Sequence, residues 1–181
     1  MKKIKHSVSF FKSDDMESDW DDFCRENLPK VYNFFIYRTG NEHVAEDLTS
    51  VSFERAWRNR IRFRPDRSKL HTWLFGIARN VLREDYRAYR KRDEVDLEEN
   101  AAGAALSMEQ QTTLKEEKKW LASLINALPE RERELISLKY GAGLTNREIS
   151  KITRLSESNV GTILARTLQK IRKQKEEFDG R

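Results

Sequence analysis

The side chains best suited to chemistry lie near the C-terminus. Ser158, Asn159, Thr162, Arg166, Gln169, Lys170 and Lys173 all fall off the apolar stripe of one helical stretch. Val160, Ile163, Leu164, Leu168 and Ile171 mark that stripe, at three- and four-residue steps. Hydrogen-bonding and cationic groups along one side suit a helix whose N-terminal end enters a DNA major groove. Short polar side chains there reach base edges, and basic ones reach phosphates. Taken alone, the same spacing also fits an amphipathic helix with a solvated basic face.

The preceding residues would position this helix. Thr145 and Glu148 have the spacing of a capping box, which opens a short helix with Ile149 and Ile152 on its apolar face. Arg154-Leu155-Ser156 reads as a tight turn, with Ser156 capping the second helix. Upstream, Leu121, Leu124, Ile125 and Leu128 form a helical stripe. Pro129 starts the next helix, with Glu130 and Glu132 in its first turn and Leu135, Ile136 and Leu138 on its core side. Tyr140-Gly141-Ala142-Gly143 then turns the chain into the helix-turn-helix. These elements define a C-terminal domain over 118–175, followed by a tail over 176–181.

The first half is helical as well. Trp20 to Arg38 carries Phe23, Leu28, Val31, Phe34 and Phe35 as a stripe, and Gly40 suits a left-handed C-terminal cap. Asn41 caps a helix over 42–58 with two apolar sides. One carries Val44, Leu48 and Val51 beside Ala45, Ser52 and Ala56, and the other carries Phe53 and Trp57. Two apolar sides imply deep burial, or one face kept for a partner. A basic loop over 58–69 encloses Phe63. Charge around a ring is what single-stranded nucleic acid binding needs, although a ring tucked into the core fits equally. Ser68 caps a helix over 69–91, with Leu70, Trp73, Leu74, Ile77, Ala78, Val81 and Leu82 buried and Arg79, Asn80, Arg83, Arg87, Arg90 and Lys91 largely off that stripe. The N-terminal domain is therefore 19–92, after a disordered lead over 1–18.

Charge is segregated along the 181 residues. Residues 55–92 hold 13 Lys and Arg against 3 acidic residues, residues 93–117 hold 1 against 8, and residues 139–175 hold 9 against 2. This describes two polyanion-binding modules on a flexible acidic linker over 93–117. The fold class expected is all-α, with two small helical domains.

Several functions lack their residues. Cys24 is the only cysteine, so no intrachain disulfide forms, which fits a reducing cytoplasm. His6, His43 and His71 are scattered, with no metal spacing, no phosphate loop and no nucleophile-base constellation. No apolar run approaches the roughly 18 residues that span a membrane, and the basic start lacks the core of a signal peptide. Neither cofactor nor metal is expected.

Four stretches in this order resemble the extracytoplasmic-function (ECF) group of bacterial RNA polymerase sigma factors, of the sigma-70 family. They are YRTGNEHVAEDLTSVSFERAW, RFRPDRSKLHTWLFGIARN, INALPERERELISLKY and LTNREISKITRLSESNVGTILAR. The resemblance implies a non-enzymatic subunit that lends promoter specificity to core polymerase. Asp47, Leu48, Phe53, Arg55 and Trp57 match the surface that docks on the clamp coiled coil of the largest subunit, with Ser50-Val51 where many relatives carry Gln-Glu. Arg62, Phe63, Arg64, Lys69, His71, Trp73, Asn80, Arg83 and Arg87 match the part that melts DNA and holds the minus-10 strand. Arg147, Arg154, Ser156, Ser158, Asn159, Thr162, Arg166 and Lys170 match the minus-35 reader. Arg154 stands where relatives often have glycine, and Gly161 and Ile163 replace residues that are often basic. Implied partners are core RNA polymerase, including the flap of its second-largest subunit, single- and double-stranded promoter DNA, and an anti-sigma factor. A stand-alone helix-turn-helix regulator is the alternative, and a helical enzyme or an interaction scaffold a third.

Overall fold

The computed structural model describes the backbone over 16–93 and 114–179, and side chains over 19–90 and 120–178. The expected lead before residue 16, the linker over 94–113 and the last two residues lie outside it. Among the described residues all regular secondary structure is helical: α1 (Met16–Thr39), α2 (Glu42–Asn59), α3 (Leu70–Asp93), α4 (Leu114–Ala127), α5 (Glu130–Ile136), α6 (Asn146–Thr153) and α7 (Glu157–Asp179). A 3-10 turn, Arg60–Arg62, follows α2, and a wide π turn, Ser137–Gly141, continues α5. The helix ends differ from the sequence reading. α1 starts four residues before Trp20, α4 is already helical at Leu114, and α7 runs four residues past Lys175.

Local chemistry sets the boundaries. The Gly40 N–H donates to Ile36 carbonyl (2.9 Å) at a φ of 64°, a left-handed end that costs glycine nothing. The Asn41 side chain then accepts the Val44 N–H at 3.1 Å and caps α2. Pro29 lies inside α1, where it removes one helical N–H. Pro129 is the N-cap of α5 and not its first helical residue, because its ψ of 144° is extended. Likewise α3 begins at Leu70, so Lys69 and not Ser68 immediately precedes it.

The described residues fall into two compact units, divided so that those up to 32 and from 46 to 93 belong to the first and those over 33–45 and from 114 onward to the second. Residues 33–45 thus cluster with the C-terminal segment and not with the rest of the N-terminal half. In the first unit, rings join α1 to α2. Trp20 lies 5.5 Å from Phe23, 6.4 Å from Phe53 and 5.2 Å from Trp57. Leu74, Phe75 and Ala78 of α3 are fully buried, with Val81 and Leu82 nearly so. Phe75 and Thr72 join the buried side unforeseen, while Trp73 and Ile77 are only half-buried. Leu28, expected in the α1 stripe, is 51% exposed. Asn27 is buried instead, its amide donating to Phe23 carbonyl at 2.9 Å, so the stripe steps 23, 27, 31.

In the second unit α5 and α6 pack on α7. Leu135, Leu138, Ile149 and Val160 are fully buried. The Arg38 guanidinium, 8% exposed, pairs with the Glu130 carboxylate and donates to its carbonyl at 3.3 Å. A side chain on Gly141 would come within 3.0 Å of Asn33 carbonyl oxygen, so the wide turn needs glycine there. Leu121 is 39% exposed, contrary to its place in the expected stripe. Thr167, 1% exposed, takes a buried position beside the half-buried Leu168.

Arg154 is the one non-glycine residue with positive φ among those described, at φ 63° and ψ 22°. The left-handed region costs an L-residue about 1–2 kcal/mol, partly offset by the extra unfolded-state freedom of glycine. Arg154→Gly is therefore expected to stabilise the protein by about 1 kcal/mol in urea unfolding. A midpoint equal to or below that of the unaltered protein would contradict this.

Candidate nucleic-acid interface

The C-terminal site is built from local hydrogen bonds. Thr145 Oγ1 accepts the Glu148 N–H (3.3 Å), and the Glu148 carboxylate accepts the Thr145 N–H (3.0 Å), so the capping box opens α6 as expected. α6 closes where the Arg154 N–H donates to Ser150 carbonyl at 2.9 Å. The Ser150 hydroxyl donates to Leu155 carbonyl at 2.6 Å and fixes the turn. Ser156 Oγ accepts the Asn159 N–H at 3.2 Å and starts α7.

Burial then orients α7. Val160, Leu164 and Thr167 face inward, which leaves Ser158, Asn159, Thr162, Arg166 and Gln169 exposed on the other side. Arg147, Arg154 and Ser156 are exposed as well. The Thr162 hydroxyl donates to Ser158 carbonyl at 3.0 Å. Arg166 makes no ion pair among the described residues. Lys170 differs from the other candidates. Its ammonium reaches both oxygens of Glu132, at 2.8 and 3.1 Å, and the Thr167 hydroxyl donates to the same carboxylate at 3.1 Å. Glu132, read from sequence as a partner of the helix dipole, is a clamp between α5 and α7. Its partner lies 38 positions away, so no local pattern signals it.

In the first unit, the loop ring finds a partner. Phe63 and Trp73 lie 5.5 Å apart, tilted by 53°, and both are half-buried. Arg62, Arg64 and Lys69 are exposed around them, and His71 is half-buried. Asn80, Arg83 and Arg87 are exposed along α3. Tyr86 and Tyr89 join this surface unforeseen, at 56% and 52% exposure, with the Arg90 guanidinium 5.0 Å from the Tyr86 ring.

The candidate docking residues of α2 are less uniform. Asp47 is exposed, whereas Leu48, 6% exposed, lies in the core and supports that surface from beneath. Phe53 and Trp57 are half-buried against Trp20, so the second apolar side of α2 has an internal partner. Arg60 lies 3.8 Å over the Trp57 ring and donates to Trp57 carbonyl at 2.8 Å. Arg55 pairs with Glu84 at 2.5 Å, a largely exposed contact of little energetic weight. Neither Trp20 nor Arg60 was marked by sequence spacing as part of this surface.

Among the described residues no three His, Cys, Asp or Glu side chains are placed to hold a metal, and no helix is long and apolar enough to cross a membrane. Burial, with the Asp21 charge adding to it, pushes the Cys24 thiol up to about 11.

Comparison with known proteins bears on the family and the fold. Residues 23–92 match the sigma-70 region 2 family, and residues 118–171 match sigma-70 region 4. The ECF RNA polymerase sigma factor SigM of Bacillus subtilis (strain 168) is 30% identical over 154 residues, covering 84% of this chain and 92% of its own. EcfG of Rhodopseudomonas palustris (strain TIE-1) is 34% identical over 139 residues, covering 77% of this chain and 74% of its own. Among solved structures, the sigma factor RpoE in complex with the anti-sigma factor NepR, from Bartonella quintana, has a TM-score of 0.68 at 24% identity. That match covers 88% of this chain and 98% of RpoE. CnrH in complex with the cytosolic domain of CnrY has a TM-score of 0.63 at 20% identity and covers 89% and 90%.

A thiol raised to about 11 stays protonated at pH 7.5. Cys24 should therefore alkylate with iodoacetamide roughly a hundredfold more slowly in the native protein than in urea. Equal rates in the two states would show that the thiol is not held in this way.

Proposed function

The chain belongs to the ECF group of RNA polymerase sigma factors, and from that premise we propose how its residues divide the work. As a sigma factor it binds core RNA polymerase and directs promoter-specific initiation through minus-10 and minus-35 DNA. Phosphodiester chemistry is the polymerase's, and this chain acts by binding alone. One observation carries the residue assignments: α7 buries Val160, Leu164 and Thr167 and so holds Ser158, Asn159, Thr162 and Arg166 outward, behind a capped turn.

In this reading residues 118–175 recognise duplex minus-35 DNA. Ser158, Asn159 and Thr162 meet base edges, and Arg147, Arg154 and Arg166 meet phosphates. Lys170 acts through its clamp on Glu132 more than by direct contact. Residues 19–92 engage the polymerase clamp through Asp47, Phe53, Arg55 and Trp57, and hold the opened minus-10 strand. Phe63 and Trp73 offer ring faces, Asn80 an amide, and Arg62, Arg64, Lys69, Arg83 and Arg87 the countercharge. Capture of an unstacked base offsets the cost of unpairing. The acidic segment between the domains tethers two weak contacts into one useful affinity.

The flap of the second-largest subunit is assigned to the open groove of about 390 Å³ that Leu124, Ala127, Leu128 and Pro129 form with Lys170, Lys173, Gln174 and Glu177 of α7. The two solved relatives were captured with partner proteins, RpoE with an anti-sigma factor and CnrH with the cytosolic domain of CnrY. That supports an anti-sigma partner for this chain, acting in the cytoplasm.

Reconstitution tests the whole reading. The protein added to core polymerase should give defined start sites that neither component gives alone. Binding to a palindrome without polymerase would favour the stand-alone regulator instead. Within the minus-35 contact, Arg166→Ala should flatten the slope of log affinity against log salt by about 0.9, the share of one phosphate. Lys170→Ala should leave that slope within experimental error. Equal slopes for Arg166→Ala and the unaltered protein would remove Arg166 from the contacts.

A further inference from the structure

Among the described residues Ile61 is the most exposed of the large apolar side chains, at 83% of its surface. A single apolar residue in water is ordinary, but this one is held there by everything around it. The 3-10 turn Arg60–Arg62 is closed by the Phe63 N–H donating to Arg60 carbonyl at 3.1 Å. Before Ile61, Arg60 is pinned over the Trp57 ring at 3.8 Å. Asn59 is tied by its amide to Arg55 carbonyl at 2.8 Å. After it, Phe63 rests on Trp73. With Arg60 held before it and Phe63 held two residues after it, the turn presents Ile61 outward.

The surroundings state what the side chain meets. Arg62, Arg64, Arg67 and Lys69 are exposed through the next eight positions, with Asp66 the only acid among them. An apolar tip on a rigid, cationic turn is complementary to nucleic acid: the charges hold phosphates while the tip enters between bases. Apolar side chains used in this way unstack a base step. The tip also lies two residues before the Phe63–Trp73 pair, the site proposed above to hold the opened strand. We infer that Ile61 is a wedge, inserted at the junction where promoter duplex gives way to single strand, so that the separated base passes to the Phe63–Trp73 surface.

This rests on the sigma-factor reading and on the minus-10 assignment of the first unit. Its test uses holoenzyme reconstituted with the full chain. The probe is a promoter fragment selected by the unaltered holoenzyme from a library randomised at both elements, prepared fully paired and with a pre-opened minus-10 segment. At 83% exposure Ile61 can be changed without disturbing the core, and thermal unfolding verifies this. Ile61→Ser is expected to lower permanganate reactivity of minus-10 thymines on the paired fragment about tenfold. On the pre-opened fragment its transcription should stay within twofold of the unaltered protein, and Ile61→Leu should retain opening on both. Full opening by Ile61→Ser on paired DNA would overturn the wedge. So would an equal loss on both fragments with normal polymerase affinity, which marks a strand contact, or weakened polymerase affinity, which marks a protein contact. If the unaltered holoenzyme selects no promoter, it is the underlying reading that has failed.

Discussion

The arrangement of the C-terminal unit depends on which side of α7 is buried. Val160 and Thr167 are seven residues apart, nearly two helical turns, and both are out of water. Their burial fixes the rotation of the helix about its own axis, and rotation decides which side chains a groove would meet. The Glu132 carboxylate reinforces that choice from α5, since it accepts from Thr167 and Lys170 together. A hydrogen-bonded threonine and a two-pronged lysine contact are directional, which apolar packing is not. The exposed face of α7 is therefore specified by contacts on its opposite side.

The first unit solves a related problem with rings. Trp20, Phe53, Trp57 and the Arg60 guanidinium form one stack-and-edge cluster, and Phe63 with Trp73 forms another a few residues on. Tilted and edge-on rings have preferred geometries worth about 0.5–1.5 kcal/mol per pair beyond buried area. Such clusters make rigid a stretch that is otherwise a basic loop, which suits the strand-holding role proposed for it.

Much of this was legible in the chain itself, and the failures share a cause. The capping box at Thr145, the left-handed end at Gly40 and the cap at Asn41 depend on residues three or four apart, so spacing reveals them. Leu28 and Leu121 were misassigned because a helix offers two neighbouring stripes and apolar type alone does not choose between them. The choice was made by polar residues that can afford burial. Asn27 donates its amide N–H to Phe23 carbonyl, and Thr167 shares its one hydroxyl proton between Ile163 carbonyl (2.9 Å) and Glu132, which lowers the cost of burying each. The Lys170 clamp and the grouping of 33–45 with the C-terminal unit join residues far apart in sequence, which no periodicity encodes.

The hydroxyl of Thr162 has already given its proton to Ser158 carbonyl. Toward a groove it therefore shows lone pairs and a methyl group, and no donor. The exocyclic amines of adenine and cytosine offer what those lone pairs accept, and the thymine methyl offers what that methyl packs against. The guanine edge, all acceptors, offers nothing. Under the minus-35 assignment proposed for α7, this single internal hydrogen bond would tilt the promoter alphabet at the position Thr162 meets away from guanine.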